Sequence, residues 1–359
     1  ILIRGKFILD KFVVEGNTKL IGDVTIGGAK NAAIAILPAT LLVNGITTLD
    51  NVPRISDVYN ICEILNSLGA VVTWTGEHSV TVDARNLECT HASLELTSKF
   101  RASYYLLGSL LGRCHSAQVG LPGGCNLGQR PIDQHIKGFE LLGANVDVSQ
   151  GKITANANDL VGTSIYFDVV SVGATINLIL ASVLAKGTTI LDNVAKEPHV
   201  VDVANFLNSV GANIKGAGTD TIKIYGVDSL SGNHTYSVVP DQIEAGTFMV
   251  AAVASHGNIL IKNCIPEHLD SLTAKLIEMG ADIDILDDSI RVSMENSEIL
   301  PTNIKTLPYP GFPTDLQPQI GVALSIANVT SIINEWIWDS RFQYTDELNK
   351  MGAKITSHG

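Results

Sequence analysis

Apolar side chains along this chain switch repeatedly between the spacing of a helix and the spacing of a strand. Between 55 and 68 they recur every three or four positions, which predicts a helix that buries one face. The apolar positions of this helix are Ile55, Val58, Ile61, Ile64, Leu65 and Leu68. Alternating segments such as TWTGEHSVTV and DVSQGKITA contain turn residues in their middle and predict hairpins. The chain is therefore predicted to be an α/β protein.

The junction between helix and hairpin recurs along the chain as a hydrophobic residue followed by Gly-Ala. The glycines are Gly69, Gly143, Gly211, Gly280 and Gly352, spaced by 74, 68, 69 and 72 residues. Five copies at nearly one period indicate an internally repeated fold. We expect each glycine to adopt the left-handed conformation that commonly ends a helix.

Two further elements recur with the Gly-Ala junction. The strand-like elements are GITTLDNV at 45–52, GTTILDNV at 187–194 and GNILIKNC at 257–264. The small-residue elements are RAS at 101–103, GAT at 173–175 and AGT at 245–247, each 72 residues from the next. An apolar helix follows each small-residue element. The first turn of such a helix suits either anion binding by backbone N–H groups or close packing of the helix on a sheet.

One repeat unit is predicted to be a strand, a helix, a strand, a helix and then paired strands. The repeat supports three such units in each of two domains. A chain of 359 residues is also longer than one ordinary core requires. Five units are visible, and the fifth ends within its hairpin at TSHG. We therefore expect the chain to lack the sixth unit.

Composition narrows the class of protein. A hydrophobic fraction of 45% with 17% charged residues is typical of a folded globular chain. The net charge of −12 argues against a general nucleic-acid binder, which needs a basic surface. No apolar run reaches the roughly 18 residues of a membrane span. The opening ILIRGKFILDKFVVEG alternates like a strand and lacks a small-residue cleavage site, so we predict no signal peptide.

The five cysteines form an odd, scattered set without CxxC spacing. They are Cys62, Cys89, Cys114, Cys125 and Cys264. This pattern argues against a zinc site or a disulfide framework and fits the reducing cytoplasm. We expect neither a metal nor a cofactor.

Cys125 is the most conspicuous of these thiols. It lies in LPGGCNLGQRP at 121–131, where three glycines favour a hinged loop and Arg130 follows closely. A nearby guanidinium lowers a thiol pKa, and exposure in a loop makes the thiol reactive. The alternative is an ordinary small hydrophobic residue, which describes Cys62 and Cys264 better.

Lys30 and Asn31 begin an apolar helix directly after two glycines, in GGAKNAA at 27–33. A lysine in this place can reach a phosphate or a carboxylate. The alternative, a merely exposed lysine at a helix N-terminus, is disfavoured because the helix dipole repels cations there.

Further candidates lie in the second half of the chain and at helix starts. Asp315 stands between prolines in GFPTDLQPQ at 311–319, where it is either a turn residue or a general base. Arg341 and Arg101 are candidate anion clamps because guanidinium grips phosphate and carboxylate in a bidentate manner. His135 follows the cysteine loop and is either capped or exposed.

Taken together, these motifs resemble those of the UDP-N-acetylglucosamine 1-carboxyvinyltransferases, a family of enolpyruvyl transferases. The match extends along essentially the whole chain: GAKNA, FRAS, LPGGCxxGxRPxDxHIxGxxxLGA, SVGAT, EPxxVDxANFLxxxGA, PDxIExGTF and FPTDxQxQ. The cysteine loop is the most specific of these motifs. The resemblance implies a two-domain inverse α/β barrel fold built from βαβαββ units, three in each domain.

The resemblance also implies where the domains divide. In the family the chain crosses between the domains twice, and the crossings fall here near Lys30 and near 238–241. One domain would comprise 1–30 and 240–359, and the other 31–239 with the cysteine loop 121–131.

The reaction implied by the resemblance transfers the enolpyruvyl group of phosphoenolpyruvate to the 3-hydroxyl of UDP-N-acetylglucosamine and releases phosphate. It is the first committed step of peptidoglycan synthesis. Cys125 matches the proton donor and the target of the epoxide fosfomycin, and Asp315 matches the carboxylate beside the sugar hydroxyl. Lys30 and Asn31 match the phosphoenolpyruvate contacts, and Lys30 is also an implied catalytic residue. Arg130 matches a residue that grips the phosphate region of phosphoenolpyruvate.

The remaining implied site residues are contacts of the UDP-sugar or lie near the reacting groups. The UDP-sugar contacts are Arg101, Arg130, Pro131, Ile132, Asp133, Gln134, Val170, Ser171, Val172 and Ile337. Arg341 matches an arginine near the reacting groups. The implied partners are these two small substrates, with no nucleic acid and no membrane.

Three features depart from the family pattern. Val169 stands where some members have a lysine, and Gln242 stands at an arginine position. The expected absence of the last unit would remove further arginines from the phosphoenolpyruvate pocket. A non-catalytic UDP-sugar-binding paralogue is therefore one alternative. The other is 5-enolpyruvylshikimate-3-phosphate synthase, which shares the fold but lacks the cysteine loop seen here as PGGC at 122–125.

Overall fold

The computed structural model describes residues 13–87, 92–98, 101–121 and 132–358. The strands are β1 Ile21–Thr25, β2 Ile46–Asp50, β3 Val71–Trp74, β4 Val80–Asp83, β5 Ser116–Gly120, β6 Asn145–Ser149, β7 Lys152–Asn156, β8 Ser164–Tyr166, β9 Thr188–Asp192, β10 Asn213–Lys215, β11 Thr221–Tyr225, β12 His234–Ser237, β13 Asn258–Lys262, β14 Asp282–Ile285, β15 Ser289–Ser293, β16 Ile304–Lys305 and β17 Ile333–Asn334. The helices are α1 Lys30–Ala39, α2 Ser56–Ser67, α3 Leu94–Ser98, α4 Tyr105–Cys114, α5 Asp133–Leu141, α6 Val172–Ser182, α7 Pro198–Ser209, α8 Gln242–Ala254, α9 Asp270–Glu278, α10 Gln317–Ser325 and α11 Tyr344–Lys350. Short 3-10 turns lie at Thr40–Leu42, Arg101–Tyr104, Pro266–Leu269, Thr314–Leu316 and Arg341–Gln343.

The sheets repeat one arrangement, which confirms the predicted α/β class. Three four-stranded sheets have the orders β12-β2-β4-β3, β10-β11-β9-β8 and β1-β13-β15-β14. In each of them an antiparallel hairpin pairs with a central strand, and that strand pairs in parallel with a strand from elsewhere in the chain. The sheet β5-β7-β6 has the hairpin without the parallel strand among the described residues, and β16 and β17 form a short parallel pair.

The helices α1, α4 and α6 lie inside this structure, and the sheets lie outside them. Almost every residue of α1, α4 and α6 is buried, so these helices are covered on all sides. The strands instead alternate between buried and partly exposed side chains, as in β2, β9 and β13. A sheet with one face toward solvent shows this alternation. This is the inverse α/β arrangement that the resemblance predicts.

The Gly-Ala junctions have the predicted backbone conformation. The five glycines have φ between +90° and +112°: Gly69 +90°, Gly143 +101°, Gly211 +112°, Gly280 +94° and Gly352 +103°. At the first of them, the Gly69 and Ala70 N–H groups donate to the Asn66 and Leu65 carbonyl oxygens at 3.1 and 3.2 Å. These bonds satisfy carbonyls that the end of α2 leaves unpaired.

A second repeated conformation follows the strands β2, β9 and β13. Asn51, Asn193 and Asn263 have φ of +57°, +60° and +55°. Each side-chain amide donates to a backbone carbonyl at 2.7–2.9 Å, on Val238, Phe167 and Ile26 respectively. Asparagine tolerates this left-handed conformation better than most residues. The amides thereby tie each central strand to a segment near its parallel neighbour, a role that the sequence pattern does not reveal.

Buried apolar residues form two separate groups. The larger group, here called the large core, runs along the chain from Ala29 to Val238. The smaller group, here called the small core, contains Ile26 and buried residues from Ala245 to Leu324. The chain therefore passes from one core to the other between 26 and 29 and returns between 238 and 245.

Helices α4 and α6 approach each other through glycine. A Cβ atom on Gly108 would lie 2.4 Å from the Asn177 carbonyl oxygen, and one on Gly112 would lie 2.8 Å from the Leu180 carbonyl oxygen. Both obstacles are backbone atoms, which cannot move without shifting a helix. The RAS element thus precedes a helix whose glycines permit close packing against α6, and GAT lies in the first turn of α6.

The Gly108→Ala variant is expected to lower the free energy of unfolding by about 1–3 kcal/mol, because the added methyl group overpacks the contact between α4 and α6. Urea denaturation followed by circular dichroism measures this change. Gly16→Ala is the matched control, since nothing lies within 4 Å of a Cβ atom there. Equal stability of the two variants would contradict this account of the packing.

Some expected boundaries differ from the structure. The strand expected at 1–16 is absent from the described part of that segment: residues 1–12 lie outside the described residues, and 13–20 have no regular structure. Helix α8 begins at Gln242, three residues before AGT, and α4 begins only at Tyr105, after a 3-10 turn that contains RAS. Helix starts are therefore fixed by local capping and packing rather than by the small-residue elements.

Candidate functional site

Lys30 and Asn31 begin α1, as predicted. They lie beside the segment between 238 and 245, where the chain returns from the large core to the small core. The two joining segments pair with each other: the Ala29 N–H donates to the Val239 oxygen at 2.7 Å, and the Asp241 N–H donates to the Gly27 oxygen at 2.9 Å. The Lys30 backbone N–H donates to Asp241 Oδ2 at 2.9 Å. The predicted phosphoenolpyruvate contacts thus lie where the chain changes core.

The Lys30 side chain has a carboxylate partner. Its Nζ lies 2.6 Å from Asp57 Oδ2, at the first turn of α2. About half of the lysine side chain remains exposed, with a relative accessibility of 50%. An ammonium held in this way offers its remaining N–H donors to an anion in the adjacent space.

Asp241 connects the starts of two helices that belong to different cores. Its Oδ1 accepts the Ile243 N–H at 2.8 Å and the Glu244 N–H at 3.2 Å, which caps α8. Its Oδ2 accepts the Lys30 N–H at the start of α1. A carboxylate is the favoured partner for N–H groups at a helix start, which no intrahelical carbonyl satisfies. One side chain therefore fixes α8 and Lys30 relative to each other.

Asp241→Ala is expected to lower the free energy of unfolding by about 1–2 kcal/mol, because it removes an N-cap and leaves backbone donors unpaired. Asp241→Asn retains an acceptor oxygen and should lose less. Urea denaturation of both variants, with the exposed Asp284→Ala as control, tests the expectation. A free energy of unfolding for Asp241→Ala equal to that of the control would show that the cap does not stabilise the fold.

His199 lines the same small pocket as Asp241. It is the second residue of α7, and with Asn31 and Gln242 it lines a small pocket at the junction of the two cores. Burial lowers the pKa of His199 to about 4, against the opposing effect of the Asp315 and Asp241 carboxylates. The imidazole is therefore neutral at pH 7, able to donate one hydrogen bond and accept another.

Glu197, which precedes α7, contacts the part of the chain that holds the small core. Its Oε1 accepts the Tyr309 N–H at 3.5 Å, while its Oε2 is buried without a hydrogen-bond partner among the described atoms. Burial raises the pKa of the Glu197 carboxyl. This contact brings the start of α7 close to the loop that leads to Asp315.

Asp315 and Arg341 form an ion pair. Asp315 lies in the 3-10 turn Thr314–Leu316, and its Oδ1 is 3.0 Å from Arg341 Nη2. The arginine side chain is only 12% exposed, whereas that of Asp315 is 46% exposed. The carboxylate is thus partly exposed to solvent, while the guanidinium that pairs with it is mostly buried. This geometry leaves Asp315 able to accept a proton from a hydroxyl group.

Ile337, a predicted UDP-sugar contact, follows the strand β17 in the same region. The Ile337 and Trp338 N–H groups donate to Glu335 Oε1 at 2.8 and 3.2 Å. The other oxygen of Glu335 accepts the Thr314 hydroxyl at 3.0 Å, directly beside Asp315. The structure therefore brings Asp315, Arg341 and Ile337 together.

Six of the other predicted UDP-sugar contacts lie where α5 and α6 begin. Ile132 precedes α5, Asp133 and Gln134 open it, and Val170, Ser171 and Val172 lead into α6. The Asp168 N–H donates to Gln134 Oε1 at 3.1 Å, and the Gln134 amide donates to Asp168 Oδ2 at 3.3 Å. Lys137 Nζ lies 2.7 Å from the same Asp168 oxygen.

His135 lies under this second group. It is buried, its Nδ1 is 3.0 Å from the Asn177 amide, and its ring approaches Gly173 at the start of α6. The Asn177 side-chain oxygen also accepts the Gly108 N–H at 2.8 Å, which links α6 to α4. The alternative of an exposed histidine is therefore wrong: His135 is a buried residue that joins helices.

Several predicted site residues lie outside the described residues. These are Cys125, Arg130 and Pro131. Arg101 begins the 3-10 turn before α4, but its side chain is not among those described. Two residues differ from the family pattern. Val169 is 67% exposed, and Gln242 is the first residue of α8.

Sequence reasoning missed Asp57, His199, Asp241 and Glu335. An aspartate before the apolar run of α8 is a capping signal, so Asp241 could have been found in this way. The others contact residues distant in the chain, and no local pattern identifies them. Among the residues described, no group of three His, Cys, Asp or Glu side chains is arranged to hold a metal ion. Within the same residues no helix combines the length and the hydropathy required to cross a bilayer.

Comparison with known proteins identifies relatives along nearly the whole chain. The family model of EPSP synthase (3-phosphoshikimate 1-carboxyvinyltransferase) matches residues 14–359. The UDP-N-acetylglucosamine 1-carboxyvinyltransferase 2 of Clostridium acetobutylicum is 58% identical over 352 residues, which cover 98% of this chain and 84% of that protein. The UDP-N-acetylglucosamine 1-carboxyvinyltransferase of Clostridium botulinum is 56% identical with the same coverage. A relative named UDP-N-acetylglucosamine 1-carboxyvinyltransferase 2 in Bacillus cereus is 49% identical and covers 98% of this chain and 81% of its own length.

Solved structures share the fold. The enolpyruvyl transferase NikO of Streptomyces tendae matches with a TM-score of 0.85 at 22% identity, over 96% of this chain and 81% of that one. EPSP synthase of Acinetobacter baumannii matches with a TM-score of 0.73 at 19% identity and the same coverage. These likenesses confirm the predicted enolpyruvyl transferase fold. The family model and the identity of 49–58% to near full-length relatives show that the chain belongs to the enolpyruvyl transferase family of EPSP synthase, among its UDP-N-acetylglucosamine 1-carboxyvinyltransferases.

Proposed function

We propose that this protein transfers the enolpyruvyl group of phosphoenolpyruvate to the 3-hydroxyl of UDP-N-acetylglucosamine and releases phosphate. The observation that carries the proposal is the 58% identity over 352 residues to a protein named for this reaction. The pairing of Asp315 with Arg341 supports it, because the mostly buried arginine orients a half-exposed carboxylate that can accept the proton of a sugar hydroxyl.

The chemistry proceeds by addition and then elimination. In the addition, the methylene carbon of phosphoenolpyruvate receives a proton from Cys125, and the sugar oxygen forms a bond to C2. Asp315 takes the proton of that hydroxyl. In the elimination, the new methyl group loses a proton to the Cys125 thiolate, and the C2–O bond to phosphate breaks as the double bond forms again in the enolpyruvyl ether. The departing phosphate takes the proton held by Asp315, so both side chains return to their starting forms. No external oxidant or reductant enters this sequence.

The substrates occupy two sides of the site in this proposal. Lys30, Asn31 and Arg130 bind the anionic phosphoenolpyruvate, since ammonium, amide and guanidinium groups all donate hydrogen bonds to phosphate and carboxylate oxygens. The UDP-sugar lies against the starts of α5 and α6 and against Ile337. Contacts already present in the free protein, such as that between Gln134 and Asp168, hold these binding residues in position before the substrate arrives.

We also propose that the two cores mark two domains, 31–239 and 1–30 with 240–359. The paired segments around Gly28 and Pro240 would then form the hinge. Closure of the domains would bring Asp315 and the cysteine loop to the same carbon atom and exclude water. The wider role proposed is the first committed step of peptidoglycan synthesis in the cytoplasm, with Cys125 as the target of fosfomycin.

Phosphate release from phosphoenolpyruvate tests the proposal. The purified protein is assayed with UDP-N-acetylglucosamine and, separately, with shikimate 3-phosphate, and the products are identified by mass spectrometry. We expect phosphate and the enolpyruvyl ether with UDP-N-acetylglucosamine alone. Turnover of shikimate 3-phosphate alone would favour the activity for which the matching family model is named. Turnover of neither, with UDP-N-acetylglucosamine binding retained, would identify a non-catalytic paralogue.

A further inference from the structure

Glu335 is half-buried directly after β17 and uses both carboxylate oxygens within the candidate site. Oε1 accepts two backbone N–H groups, from Ile337 at 2.8 Å and Trp338 at 3.2 Å. Oε2 accepts the hydroxyl of Thr314 at 3.0 Å. These are ordinary hydrogen-bond distances, and a charged acceptor makes such bonds stronger than neutral ones.

The three bonds connect two segments that are distant in sequence. Thr314 precedes Asp315 in the 3-10 turn that begins before α10, whereas Ile337 belongs to the loop between β17 and Arg341. The ion pair between Asp315 and Arg341 is a second connection between the same two segments. The distance between the carboxylate at 315 and the backbone at 337 therefore depends on two side-chain links.

The loop carrying Ile337 is held on its other side as well. The Trp336 N–H donates to the Thr306 hydroxyl at 2.9 Å, and Thr306 is fully buried. The Thr306 N–H in turn donates to the Asn334 oxygen at 3.0 Å. Residues 334–336 are thus held against the paired strands β16 and β17. The backbone of Glu335 is therefore fixed, and its side chain orients the backbone at 337 and 338.

We propose that Glu335 is a positioning residue for the transfer reaction, which sets the sugar-binding backbone at Ile337 against the base Asp315. The inference rests on the proposed function, since it concerns the substrate that these two residues would share. Glu335 does not touch the reacting atoms in this account. It acts through Thr314 on one side and through the two N–H groups on the other, and misplacement of reacting groups by about 1 Å is enough to slow a reaction severely.

The three hydrogen bonds of Glu335 predict which substitution preserves activity and which does not. Glutamine keeps one oxygen that can accept both backbone N–H groups, and its amide nitrogen can donate to the Thr314 hydroxyl oxygen. Alanine removes all three bonds. The variant Glu335→Gln should therefore retain the geometry, and Glu335→Ala should lose it.

Steady-state kinetics of the full chain with both substrates test the inference. For Glu335→Ala we expect KM for UDP-N-acetylglucosamine to rise about 5–30-fold and kcat to fall, with KM for phosphoenolpyruvate within about 3-fold of the wild-type value. For Glu335→Gln we expect all three constants within about 3-fold of wild type. Glu347→Ala, an exposed residue of α11 in an ion pair with Lys350, is the matched control and should leave them unchanged.

Other outcomes separate this inference from the proposed function. Absence of turnover in the wild-type protein contradicts the proposed function. Wild-type turnover with an unchanged Glu335→Ala contradicts the positioning role alone. A lower kcat with both KM values unchanged, and with a matching loss of folded protein in urea denaturation, would show a merely structural residue. An equal defect in Glu335→Gln would also overturn the inference.

Discussion

Asp315→Asn is expected to lower kcat by about 10²–10⁴-fold, which is the usual contribution of a general base. The amide has nearly the same shape as the carboxylate and can still accept a hydrogen bond from Arg341. It cannot take the proton of the sugar hydroxyl as the new C–O bond forms. Phosphate release from phosphoenolpyruvate at saturating UDP-N-acetylglucosamine measures the change.

The matched control for this variant is Asp284→Asn, an exposed aspartate of β14 on the same core. It should retain wild-type turnover. A kcat for Asp315→Asn within about threefold of wild type would remove the residue from the role of base, since general-base catalysis contributes far more than that. Turnover lost equally in both variants would point to a defect in folding instead.

Cys125→Ser is expected to lower kcat by a similar factor of about 10²–10⁴ and to abolish covalent labelling by fosfomycin. A serine hydroxyl is a far weaker acid than a thiol and a far weaker nucleophile than a thiolate. Intact-mass measurement after incubation with the epoxide counts the adducts, and peptide mapping locates them. The wild-type protein should carry one adduct on Cys125.

Three other thiols provide internal controls for that experiment. Burial raises the pKa of Cys62 to about 12 and also raises the pKa of Cys114 and Cys264. Thiols that stay protonated react slowly with an epoxide, because the thiolate is the nucleophile. An adduct found on one of these three, and retained in Cys125→Ser, would overturn the assignment of Cys125.

The repeated fold could be predicted from the chain because its signals are local. A glycine at the end of each helix needs a left-handed conformation, and that requirement is visible as Gly-Ala at a regular period. The structure gives all five glycines this conformation. The hairpins after Gly69, Gly143, Gly211 and Gly280 were predicted for the same reason, since alternation and turn residues are properties of adjacent positions. The asparagines after the strands act across the sheet, and their role was not predictable.

The candidate site was predictable only in part. Lys30 and Asp315 were found because each breaks a local expectation: a cation at a helix start and an aspartate between prolines. Arg341 was a candidate because a guanidinium suits anion binding. Asp57 and Asp241 escaped notice, although they determine where Lys30 can point. Their partners lie 27 and 211 positions away in the chain, and no periodicity spans such distances.

The sequence by itself determined the repeat, the helix ends, the mixed α/β class and the identity of the residues that carry charge to the site. Only the tertiary structure decided which of those charges neutralise each other and which remain available. It pairs Lys30 with Asp57, supports Asp315 with a mostly buried Arg341, and buries His199, which lowers the pKa of its imidazole. The physical reason is that backbone conformation follows from neighbours in the chain, whereas ion pairing and proton affinity depend on neighbours in space and on how far water is excluded.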